Sequence, residues 1–79
     1  MEAATRYIVG VDLGGTNIVA GVMTADGAEQ FAMHSIPTRA DQGADAVVER
    51  IVQLCERVIA ETQAVTGASR DQFLSLIHI

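Results

Sequence analysis

The chain has 79 residues, 49% of them hydrophobic, and a formal charge of −5. This composition rules out a compositionally disordered chain, and the length allows at most one small domain that buries about 60% of its unfolded surface. Ten acidic residues stand against five arginines with no lysine, which excludes a basic nucleic-acid surface and a Walker-type loop; the single cysteine, Cys55, excludes an internal disulfide or a cysteine metal cluster.

Residues 1–6 read as a frayed lead. They are short and mixed, with none of the apolar core of a signal peptide, and no apolar run approaches the ~20 residues needed to cross a bilayer. A cytoplasmic protein is expected, with no membrane and no nucleic acid among its partners. Tyr7 to Val11 is apolar and largely β-branched, the pattern of a central strand buried on both faces. Asp12 then marks the strand end, and Gly14-Gly15 the turn. Asn17 to Met23 is the second strand, with small residues at Ala20 and Gly21 where it bends or is closely approached. Ala25-Asp26-Gly27 is a hairpin turn, and Asp26 serves that turn only. Glu29 to Ile36 alternates as an outer strand. Glu29, Phe31, Met33 and Ser35 share one face; Gln30, Ala32, His34 and Ile36 share the other.

Pro37 ends that strand, and a polar stretch leads to Gly43 or Asp41 at a helix start. From Ala44 to Thr66 apolar residues recur at helical spacing: Ala44, Val47, Val48, Ile51, Leu54, Cys55, Val58, Ile59, Thr62 and Val65. Glu49, Arg50, Gln53, Glu56, Arg57 and Glu61 form the polar face, and Gly67 is the stop. Ser69 to Gln72 is a turn-like linker, and Phe73 to Ile79 is strand-like. The order is β-β-β-α, with the helix covering one sheet face. The last segment can add a fourth strand, parallel to the first.

The turn between the first two strands carries two readings. Two adjacent glycines admit the positive φ of a short hairpin, and Asp and Gly are ordinary turn residues. The same glycines leave backbone N–H groups uncovered by any Cβ, able to close around phosphate oxygens. In that second reading Asp12 holds Mg²⁺, directly or through water, and Thr16 and Asn17 offer a hydroxyl and an amide at the same mouth.

Residues 8–27 resemble the opening of the ROK family of sugar kinases, most of all its glucokinases. The resemblance rests on Asp12-Leu13-Gly14-Gly15-Thr16-Asn17, then Ile18-Val19-Ala20-Gly21-Val22 and Asp26-Gly27. It continues through Ile36-Pro37-Thr38 and the helix, covering roughly residues 7–66. It implies an α/β fold of the actin-like, ribonuclease H-like ATPase type. It further implies that Asp12, Leu13, Gly14, Gly15, Thr16 and Asn17 touch the phosphates of ATP, with Asp12 at the Mg²⁺.

Members of that family have two domains and are several times longer, so the chain reads as one partial nucleotide-binding domain from an amino terminus. The family's general base is an Asp in a downstream Asn-Asp motif, without an equivalent here, and the hexose contacts are missing too. No catalytic residue is expected in this chain, and no kinase activity from it alone. The family's zinc site, a His with a Cys-rich cluster, is likewise missing, and full-length members imply homo-oligomers. In the family a Gly-rich strand runs into Pro-Gly where residues 71–79 stand; this tail has neither residue, and reads as a departure from the family or as foreign sequence. A sugar-responsive transcriptional regulator is the alternative, but only nine residues precede Gly10, too few for a DNA-binding module. A truncated product without function is the third reading, since exposed strand edges invite aggregation. His34 and His78 read as surface or half-buried, Cys55 as a small hydrophobe, and Arg39 as a solvated side chain near the turn.

Overall fold

A computed structural model describes residues 5–78 of the chain, with side chains as far as Ser75. Strands β1 (Tyr7–Leu13), β2 (Asn17–Thr24) and β3 (Gln30–Pro37) are followed by helix α1 (Ala44–Thr66) and strand β4 (Phe73–His78). They form a four-stranded mixed sheet in the order β3-β2-β1-β4, with α1 packed on one face. β1 runs antiparallel to β2 and parallel to β4, so the last segment does supply the fourth strand that the sequence left open, beside and parallel to the first. The expected α/β class, with a mixed sheet and one covering helix, is what the chain adopts.

Alternation along the strands builds the core. Tyr7, Val9 and Val11 of β1, Ile18, Ala20 and Val22 of β2, and Ala32 of β3 are buried against Leu54, Val58 and Ile59 of α1. Tyr7 also stacks on Phe73 with ring centroids 5.1 Å apart, which seats the start of β4. β1 was expected to be buried on both faces. Only the helix side is closed; Ile8 and Gly10 on the other face are half-buried and Asp12 is exposed. The uninterrupted apolar run arises because the open face is itself apolar, with Met23, Met33 and Leu74 exposed on it. β1 also runs past Asp12 to Leu13, so Asp12 lies within the strand, opposite Val19, rather than at its end.

The face assignment in β3 needs one correction. The register slips between Val22 and Met23: Val22 faces Ala32 but Met23 faces Gln30, leaving Phe31 as an extra residue. Beyond such a bulge the alternation shifts by one. Phe31 therefore joins the core, its ring edge-on to Tyr7 at 5.6 Å. Gln30 moves to the open side with Met33.

Helix α1 has the expected limits. Gly43 is its N-cap, and Gly67, at φ 73°, closes it with its N–H on Gln63 O at 2.8 Å. Leu54, Val58, Ile59 and Thr62 are buried, whereas Val48 and Val65 of the same expected stripe are exposed. A 23-residue helix is about 34 Å long and outruns strands that span about 25 Å, so the stripe overhangs the sheet. Thr62 is buried without penalty because its hydroxyl donates to Val58 O at 2.9 Å. Among the described residues no helix is long and apolar enough to cross a membrane.

Candidate functional site

The expected site residues fall at the β1–β2 turn and its flanks. Gly14, Gly15, Thr16 and Asn17 are all exposed, and so is Asp12; Leu13 is half-buried. Gly14 N–H donates to Asn17 O at 2.9 Å and closes the turn. Neither Gly14 nor Gly15 has a positive φ; the glycines that do are Gly27, Gly43 and Gly67. The glycine pair is thus not there for a left-handed turn. Gly14 is needed for close approach, since a Cβ on it would stand 3.1 Å from Asn17 O. A Cβ on Gly15 would meet nothing within 4 Å, so its backbone lies open to solvent. The N–H groups of Gly15 and Thr16 donate to no acceptor among the described residues. The Asn17 amide reaches Thr16 Oγ1 at 3.4 Å.

The fold divides these residues between two surfaces. Leu13, Gly14 and Gly15 border a cleft of about 570 Å³ on the helix side, whose other wall is Val47, Val48 and Ile51 of α1. Asp12 lies on the opposite face, at the edge of an apolar trough of about 280 Å³ floored by Gly10 and Gly21. Strand alternation places Asp12 and Leu13 on opposite sides. The turn remains adjacent to Asp12 in the chain, but the carboxylate does not line the helix-side cleft.

One residue of the site has no signature in the strand and glycine patterns. Thr38, buried to 3% exposure, follows directly after Pro37. Its N–H donates to Thr16 O at 2.9 Å and its hydroxyl to Gly14 O at 2.8 Å. The signal available in the sequence is register: a second strand starting at Asn17 and a third ending at Pro37 make the next residue face Thr16. Arg39 then takes a left-handed conformation and pairs with Asp41 at 3.5 Å, fully on the surface.

The remaining candidates serve the fold. Asp26 accepts from Thr24 Oγ1 at 2.6 Å and Ala28 N at 3.0 Å, and the Thr24 bond chiefly holds its carboxyl below the usual value, as turn chemistry requires. His34 is half-buried and meets Glu61 of α1, with Nε2 2.7 Å from Oε2, a partner 27 residues away that no local spacing reveals. Burial, then the neighbouring Glu56 charge, pushes the Cys55 thiol up, so it behaves as a small apolar group. The side chain of His78 lies outside the described residues.

Among the described residues no three His, Cys, Asp or Glu side chains gather into a metal site. Asp12 is the carboxylate at the turn, so a cation there would draw its other ligands from water and phosphate oxygens. Magnesium commonly binds in that way, through one or two carboxylates and several waters. Compared with known proteins, the chain matches no family model, no curated protein and no solved structure.

Proposed function

We propose that this chain is the phosphate-gripping part of an ATP-dependent sugar kinase of the ROK, glucokinase-like type, in an actin-like nucleotide-binding domain of a cytoplasmic enzyme. The observation that supports it is the uncovered turn: the Gly15 and Thr16 N–H groups face no acceptor among the described residues, and no Cβ shields Gly15. Successive backbone N–H groups in a turn are suited to phosphate oxygens.

In this reading the Gly15 and Thr16 N–H groups bind terminal phosphate oxygens, with the Thr16 hydroxyl and Asn17 amide beside them. Asp12 holds Mg²⁺ directly or through water. Held there, Mg²⁺ would supply positive charge against the negative charge of the phosphoryl group in transfer. Leu13 carries the strand into the turn and fills the inner wall. No residue of this chain is assigned as the general base, and hexose phosphorylation by it alone is not expected.

Titration with Mg-ATP tests the reading. The wild-type chain should bind, and Asp12→Ala should weaken binding about tenfold with Mg²⁺ while changing little in EDTA, as removal of one charged metal ligand predicts. Equal affinity of the two proteins for Mg-ATP, or no binding by the wild type, overturns it.

A further inference from the structure

We propose that Thr38 is the positioning residue of the turn: by holding the Gly14 carbonyl it keeps the Gly15 N–H directed away from the protein and toward the anion. The inference rests on the phosphate reading above and adds a residue to it.

The argument follows from the shape of a peptide unit. The Gly14 carbonyl and the Gly15 N–H belong to one peptide, and in a trans peptide the two groups point in opposite directions. The described chain has no cis peptide bond. A peptide flanked by glycines on both sides meets little steric resistance to turning over. Turned over, it would present a carbonyl oxygen to the anion, which repels it. Something must therefore select one orientation. Thr38 Oγ1 donates to Gly14 O at 2.8 Å, so the Gly15 N–H of the same unit points away from Thr38. The Thr38 N–H, on Thr16 O at 2.9 Å, fixes the far end of the turn in the same way. Thr38 itself is buried, so water does not compete for its hydroxyl. Its location is imposed by the sheet, since Asn17 pairs with Pro37 and the next residue meets the turn.

The test compares Thr38→Val, which keeps the shape and loses the hydroxyl, with Thr38→Ser, which keeps the hydroxyl. The probes are Mg-ATP and magnesium tripolyphosphate, with the Gly15 amide followed by ¹H–¹⁵N NMR and folding checked by melting. Thr38→Ser should bind within about twofold of the wild type, and Thr38→Val about three- to tenfold more weakly, the range a single hydrogen bond supports. The Gly15 amide shift on titration should persist in the serine variant and shrink in the valine variant at temperatures where both are fully folded. A purely structural role would lower melting temperature without changing that shift. If the valine variant does not fold, Thr38→Ala, which also removes the hydroxyl, replaces it in the same comparison. Unchanged affinity and an unchanged Gly15 response in the variant lacking the hydroxyl overturn the Thr38 assignment and leave the phosphate reading standing. No binding by the wild type removes both.

Discussion

A Cβ on Gly14 would lie 3.1 Å from the backbone oxygen of Asn17, while its neighbour Gly15 faces open space. Neither has a positive φ, so the difference between them lies in the space around each. Gly14→Ala must displace a turn carbonyl and should cost about 1–2 kcal/mol, seen as a lower melting temperature. Gly15→Ala should melt like the wild type or slightly higher, because it only restricts the unfolded chain, by about 0.4–1 kcal/mol. The added methyl would nonetheless stand where a phosphate has to approach, so tripolyphosphate affinity should fall in Gly15→Ala. A stable Gly15→Ala protein with undiminished affinity would mean that the anion does not use this backbone.

Position along α1 decides the second prediction. Val58 is fully buried and Val65 is 76% exposed, though both belong to one helical stripe. Val58→Ala leaves a void under the sheet and should cost about 2 kcal/mol, lowering the melting temperature of a chain this small by about 8–16 °C. Val65→Ala should change stability by less than about 0.5 kcal/mol, since it removes no core contact. Thermal melts of the two variants decide whether the helix overhangs the sheet as described.

The helix was legible to the residue, because a 3.6-residue period bounded by Gly43 and Gly67 depends on local physics alone. The first three strands were legible from their apolar runs and turn residues, whereas the fourth was open in the sequence, because its place beside β1 is set by pairing across the sheet. What escaped was set by contacts across the sheet. Phe31 changes face because of a bulge opposite Val22 and Met23, and no pattern within β3 announces it. For the glycine pair the uncovered backbone was legible and holds at Gly15, but the positive φ is absent, and the close approach at Gly14 depends on the turn closing onto Asn17. Thr38 and the pairing of His34 with Glu61 needed a register and a docked helix, which are products of the fold.

The seating of β4 gives a third prediction. Phe73 stacks on Tyr7 at 5.1 Å and opens the strand that runs parallel to β1. Phe73 is half-buried, so Phe73→Ala should cost about 2 kcal/mol, below the range for a fully buried Phe. The loss should be local. Amide hydrogens of β4 should exchange faster while those between β1 and β2 stay protected, since the hairpin and α1 keep their own contacts. Uniform loss of protection across all strands would instead show β4 to be part of one cooperative unit with the hairpin.

The pairing of His34 with Glu61 predicts how stability responds to acid. The hydrogen bond from His34 Nε2 is the main reason that the Glu61 carboxyl lies below its ordinary value of 4.5, with the His34 charge and Arg57, 3.3 Å away, acting in the same direction. A carboxyl whose folded value is lowered contributes stability that is present above its unfolded value and lost as pH falls through the folded one. The pair therefore steepens the acid limb of the stability curve below about pH 4.5. Glu61→Gln and His34→Gln should each flatten that limb between pH 5 and pH 3. Because His34 acts on the acid limb through Glu61, the double variant should do no more than Glu61→Gln alone, and His34→Gln less, since Arg57 still pairs with Glu61 in it. Both side chains touch solvent, so the effect should shrink as salt is raised. Melting temperatures measured across that range at low and high salt decide it; a parallel downward shift at every pH would mean that His34 and Glu61 act through packing rather than through charge.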